Sequence, residues 1–172
     1  MALNKWSVFI SNVLLVLCVC AHASDDKVVG NLKRVVDGDT FYLKTGSDNS
    51  IKVRMAFIDA PELNQPFGKD AKAFLKKIEG QRVTIDVKSK DRYDRHVAIL
   101  FHRNADINLL MIENGYAWVY TNYLKYASMP RRNKYLYAES LAKENELGLW
   151  QTKDYVPPWE WRKNSKKGYR AN

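Results

Sequence analysis

The sequence predicts an α+β domain, a small five-stranded β-barrel with three helices. Three observations carry that prediction. Five short runs between residues 28 and 101 alternate apolar and polar side chains, Gly, Asp and Asn cluster between them, and the apolar spacing turns helical after the third run and again beyond residue 105.

Taken in order, residues 28–37, 40–44 and 51–58 read as strands, with Gly46, Asp48 and Asn49 marking a hairpin between the second and third. Residues 68–79 read as a helix with Ala71, Phe74, Leu75 and Ile78 on one face, lysines on the other, and Gly80 as its stop. Strands 82–88 and 96–101 follow, separated by the charged SKDRYDR loop. Helices are expected at 106–114, closed by Gly115, and at 131–146, closed by Gly148, the latter packing through Tyr135, Leu136, Leu141 and Ala142. Five strands with inserted helices suit a closed barrel of the OB type, whose open face commonly binds oligonucleotides.

Residues 1–23 read as a secretory signal: Lys5, an apolar stretch from Val8 to Cys20, then the small-x-small pattern Ala21-His22-Ala23. The apolar run is closer to a dozen residues than to the roughly 20 of a membrane span. Both cysteines lie in that segment, which removes disulfides and thiolate metal sites from the rest of the chain. Residues 24–150 suit one domain, followed by a basic tail, 151–172, that contains the PPWEWR stretch; packing over the barrel is expected for its tryptophans. The signal takes away one lysine and no acid, so the net charge falls from +9 to +8. Such a balance suits either solubility or a polyanionic partner.

Acids and arginines gather in three places: VVDGDT at 35–40, VRMAFIDAPE at 53–62 and DRYDRH at 91–96. Asp39 closes a tight turn and Asp59 ends a strand. If the two strand ends meet, hard carboxylate oxygens converge on one rim and suit Ca²⁺ or Mg²⁺. An isolated DGD is by itself an ordinary turn. Arg54, placed inside a strand, needs an anionic partner. Glu62 behind Pro61 and Arg95 in the loop complete the parts of phosphodiester hydrolysis: a cation site, a water-activating carboxylate and two guanidiniums. A structural salt-bridge network is the plainer reading of the same residues. His96 and His102 have no partner motif and read as structural.

In this order and spacing, VVDGDTFYL, VRMAFIDAPE and DRYDRHVA resemble the staphylococcal (micrococcal) nuclease family from about residue 28 to 150. The resemblance implies an OB-type five-stranded barrel with three helices and Ca²⁺-dependent cleavage of DNA and RNA to 3′-phosphate and 5′-hydroxyl ends. It implies Asp39, Asp59 and the Ala60 carbonyl as calcium ligands, Glu62 as general base or water-positioning group, and Arg54 and Arg95 as phosphate-binding catalytic arginines. Arg92 and Tyr93 match substrate-binding positions, and Tyr116, Tyr120 and Tyr123 compete for a further contact. Two departures stand out: Asp94 replaces a glycine, where its charge would weaken phosphate binding or tether Arg95, and the 63–68 segment is short. The expected protein is a secreted or periplasmic monomer without a stable membrane anchor, acting on DNA and RNA, single strands in preference. The rival from another class is an OB-fold module that binds single strands without cutting them.

Overall fold

Exposed and inward-facing residues alternate along β1 (Lys27–Val35) until a bulge between Leu32 and Arg34 shifts the phase and turns Val35 inward beside Leu32. These coordinates are a computed structural model describing residues 26–46 and 49–169; the expected signal at 1–23, Asp48 of the expected hairpin and the last residues of the tail lie outside the described residues. β1 pairs antiparallel with β2 (Thr40–Thr45), and β2 with β3 (Asn49–Met55). On its other edge β1 pairs with β5 (Arg82–Lys90), which pairs with β6 (His96–His102).

A parallel pairing of β3 with β6, Val53 opposite His96 and Met55 opposite Ala98, joins the two ends of this sheet. Closure removes both edges and wraps five strands around Leu32, Phe41, Leu43, Val53, Met55, Ile85, Ile99 and Leu100, none more than 1% exposed. The observed architecture is thus the OB-type α+β barrel that the strand pattern predicts.

The third expected strand is not continuous. Phe57 takes a left-handed backbone (φ 65°), which ends β3 and starts the two-residue β4 (Ile58–Asp59). β4 pairs with β8 (Trp118–Val119), while β7 (Ala105–Asp106) turns back to pair antiparallel with the end of β6. Asp59 therefore lies on a separate ribbon at the barrel mouth.

The expected helices form as α1 (Gly68–Lys76), α2 (Ile107–Glu113) and α4 (Met129–Glu144). Two more were not expected, the short α3 (Thr121–Leu124) and α5 (Pro158–Tyr169). Asn108 of α2 is fully buried; its amide oxygen accepts from Leu100 N and its Nδ2 donates to Ala56 O, pinning the helix beneath the barrel. On α4, Tyr135, Ala138 and Ala142 face inward, whereas Leu136 and Leu141, expected to pack, are 41% and 38% exposed. No described helix is long and apolar enough to cross a membrane.

The tail packs, as its tryptophans suggest, and it does so as a helix. Trp118, Trp150, Ala142 and Leu149 form a second apolar cluster against which Phe67 and Trp159 rest. Trp159 also stacks on Tyr120, ring centroids 5.6 Å apart at 11°.

Candidate active site

The turn between β1 and β2 divides its two aspartates between two tasks. Asp37 Oδ1 accepts from Asp39 N (3.1 Å) and closes the turn, which leaves the Asp39 carboxylate free to reach β4. Gly38 makes that reach feasible: a Cβ there would lie 2.6 Å from Ala60 Cβ and 2.7 Å from Ala71 Cβ. Asp39 Oδ2 accepts from Ala60 N at 2.7 Å, and Asp39 O accepts from Met55 N at 2.8 Å. Asp39 is thus fixed through its carboxylate by the residue after β4 and through its carbonyl by β3.

Arg54 stands opposite Thr40 in the β2–β3 register and bridges both acids, Nη1 lying 3.0 Å from Asp39 Oδ2 and Nη2 2.7 Å from Asp59 Oδ1. Nη1 also donates to Met55 O at 2.9 Å. One half-buried guanidinium thus serves two buried carboxylates and leaves an excess of negative charge. Burial pushes the Asp39 carboxyl up to about 7; Arg54 opposes that rise, and Asp37 and Asp59 add to it.

Glu62 enters from the short loop after β4. Its backbone N–H donates to Gln65 Oε1 (3.1 Å) and its carbonyl accepts from Gln65 N (2.8 Å), a tight fold that returns the chain to α1. Gly68 is required there, because a Cβ would overlap the Glu62 carbonyl. The shortness of residues 63–68 is therefore that of a fixed turn. The structure brings together Asp39, Arg54, Asp59 and Glu62, with Ala60 between the last two acids.

Arg95, Arg92 and Tyr93 form a neighbouring group on the 91–95 turn and share no hydrogen bond with those acids among the described residues. Arg95 bonds Asp91 through Nε (2.8 Å) and Nη2 (2.7 Å). Hydrogen bonds from the Arg95 side chain and from the Arg95 and Tyr93 backbones outweigh partial burial and lower the Asp91 carboxyl below its usual range. Asp94, expected to tether Arg95, instead adopts the left-handed backbone of a glycine (φ 63°) and pairs with Lys90 at 2.6 Å. The tether exists, but Asp91 supplies it. Arg92 lies over the Tyr93 ring, 4.8 Å from its centroid, and Tyr93 is 64% exposed. Among the three candidate tyrosines, Tyr116 packs on Phe74, Tyr120 lies beneath Trp159, and Tyr123 is open.

One residue at the site was missed by sequence reasoning. Arg162 of α5 donates from Nη1 to Glu62 Oε1 and from Nη2 to Asp59 Oδ2, both at 2.8 Å, with a longer contact to Asp59 Oδ1 at 3.3 Å. Its only sequence signal is a cation one turn into a Trp-rich stretch that opens with two prolines.

Among the described residues, no group of three or more His, Cys, Asp or Glu side chains is arranged to hold a metal alone. The donor chemistry still fits a hard cation. Asp39 and Asp59 offer only oxygen, and burial, opposed in part by Arg54, pushes the Asp39 carboxyl upward, a cost that a bound cation would offset.

Residues 52–152 match the family model for staphylococcal nuclease homologues, a span that holds Arg54, Asp59, Ala60, Glu62 and Arg95 and ends before α5. A Haemophilus influenzae protein named as an uncharacterized endonuclease is 34% identical over 160 residues, 92% of this chain and 86% of its own. A Shigella flexneri micrococcal nuclease is 33% identical over 147 residues, covering 80% and 82%. A staphylococcal-like nuclease of Arabidopsis thaliana shares 34% over 118 residues, 68% of this chain but 35% of its own. The barrel and these matches define the class, a nuclease of the hydrolase type. The chain belongs to the staphylococcal nuclease family.

Proposed function

We propose that the protein is a Ca²⁺-dependent, sugar-nonspecific endonuclease that hydrolyses phosphodiester bonds of DNA and RNA, leaving 3′-phosphate and 5′-hydroxyl ends. The observation that carries the reading is the meeting of Asp39 and Asp59 on Arg54 at the barrel rim, with Glu62 joined to Asp59 through Arg162. Asp39, Asp59 and the Ala60 carbonyl would hold the ion, which, when bound, supplies a Lewis acid for a phosphate oxygen. Glu62, 37% exposed at its side chain, is open enough to take a proton from water. Arg54 and Arg95 supply positive charge where the phosphoryl oxygens become more negative. Attack on phosphorus with loss of the 5′-oxygen gives the stated ends.

Residues 24–150 form the catalytic unit in this reading. The protein acts as a secreted or periplasmic monomer, exported by residues 1–23, and the exposed Tyr93 beside Arg92 favours the unpaired bases of single strands. Incubation of purified protein with single-stranded DNA or RNA, in Ca²⁺ or in excess chelator, is the test. Cleavage confined to Ca²⁺, with fragments whose 5′ ends accept a kinase label without phosphatase treatment, is expected. Full cleavage in chelator would refute the metal role, and binding without cleavage in Ca²⁺ would make the protein a binding module.

A further inference from the structure

Two of the three carboxylates that the proposed function needs, Asp59 and Glu62, are already engaged by the protein's own tail. Arg162 bonds Asp59 Oδ2 and Glu62 Oε1 at 2.8 Å each, linking the carboxylate that would hold the cation to the one that would prepare water. Asp59 Oδ1, at 3.3 Å from the same guanidinium, also carries Arg54 at 2.7 Å. No Asp59 oxygen is left without a guanidinium partner.

This contact is fixed by five others along the same segment. Gln65 Nε2 donates to Val156 O (2.6 Å), Trp161 Nε1 donates to Asn64 Oδ1 (3.2 Å), Trp159 stacks on Tyr120 and meets Trp118 edge-on at 5.7 Å, and Tyr155 meets Trp118 at 5.5 Å. The segment thus grips the Glu62 loop and the Tyr120 region on either side of the acids.

Charge points to what Arg162 replaces. Asp39, Asp59 and Glu62 against Arg54 alone leave two negative charges, the complement of a divalent cation. With Arg162 in place, one is left.

We propose that α5 is a tethered plug in the active site, with Arg162 occupying the carboxylate oxygens that a cation and an attacking water require. Cation binding then requires Arg162 to leave, and any partner or substrate that draws α5 off the 61–65 loop turns the nuclease on. The plug rests on the Ca²⁺ reading of Asp39, Asp59 and Glu62, and it adds to that reading a competitor built into the chain. Phosphate is a natural displacing group, since it offers Arg162 oxygens in place of the carboxylates.

Calorimetric titration of the protein with CaCl₂, without nucleic acid, tests the plug apart from turnover. Arg162→Ala is expected to bind Ca²⁺ at least tenfold more tightly than the unchanged protein. Trp159→Ala, which keeps the arginine and removes the stack that holds the helix, is expected to bind several-fold more tightly. In the unchanged protein, Ca²⁺ is expected to raise acrylamide quenching of tryptophan as Trp159 and Trp161 come free. Equal or weaker Ca²⁺ affinity in both variants would overturn the plug while leaving the metal site intact. No Ca²⁺ binding by any of the three proteins would overturn the metal reading and the plug with it. Should Arg162→Ala fail to fold, as judged by circular dichroism, unchanged affinity in a folded Trp159→Ala would suffice to overturn the proposal.

Discussion

Replacing Asp39 with Asn should stabilise the metal-free protein at alkaline pH while destroying its response to Ca²⁺. The shape is conserved. An Asn oxygen in the Oδ2 position keeps the bond from Ala60 N (2.7 Å), and its amide nitrogen in the Oδ1 position can donate to Thr40 Oγ1, 3.1 Å away. Arg54 keeps Asp59 at 2.7 Å. What disappears is a buried negative charge, whose carboxyl burial pushes from 3.8 to about 7. A rise of roughly 3 units at about 1.4 kcal/mol each sets a ceiling of about 4 kcal/mol.

The sign follows from the direction of the shift. A raised carboxyl favours folding while protonated, so its contribution is complete below pH 3.8 and lost as pH rises through about 7. In chelator, therefore, Asp39→Asn and the unchanged protein should match near pH 4, and the variant should gain up to about 4 kcal/mol by pH 8. With Ca²⁺ the order reverses, because ligand binding stabilises only the protein that retains the site. Urea unfolding followed by tryptophan fluorescence between pH 4 and 8, with and without Ca²⁺, measures both effects. A variant less stable than the unchanged protein at pH 8 in chelator would show that the Arg54 pair outweighs burial, and the account of the site as overcharged would fall.

Other expectations follow from the same geometry. Arg54→Lys substitutes a point charge for a fork that spans two acids, so turnover should fall by more than tenfold, and steady-state kinetics beside a denaturant midpoint would separate that loss from unfolding. Arg95→Lys should also lose more than tenfold in turnover with little change in midpoint; a normal rate would place Arg95 with Asp91 as a structural pair. Asp91→Asn should loosen Arg95 and raise KM more than it lowers kcat. Affinity of a cleavage-dead variant for single-stranded DNA should fall linearly on a log–log plot against salt, and a flat response would return the positive charge to solubility alone.

The strands were legible in the sequence because their apolar residues alternate on a period of two, and α1 because Ala71, Phe74, Leu75 and Ile78 recur at helical spacing. A closed barrel was expected from the strand count, but the pair that closes it, Val53 with His96, was not legible because it joins residues far apart in sequence. On α4 the expected Tyr135 and Ala142 do face the core, but Leu136 and Leu141 were misread because leucine signals hydrophobicity more loudly than the Ala138 that in fact packs there. At the site, Asp39, Arg54, Asp59 and Glu62 stood out as charges in otherwise apolar runs. Arg162 did not: it lies 100 residues from Glu62, in a basic tail where an arginine looks like one more solvated charge. Likewise Asp91 and Asp94 both precede Arg95 within four residues, and the left-handed backbone at Asp94 goes with Asp91 holding the guanidinium.

The central claim, that the rim acids perform hydrolysis, is tested most directly by Glu62→Gln. The substitution keeps an oxygen to accept from Arg162 and removes only basicity. Measured on labelled single-stranded DNA in saturating Ca²⁺, with binding followed in parallel, turnover should drop by roughly 10²- to 10⁴-fold while DNA is still bound. An unchanged cleavage rate would contradict the account and move the preparation of water to another group.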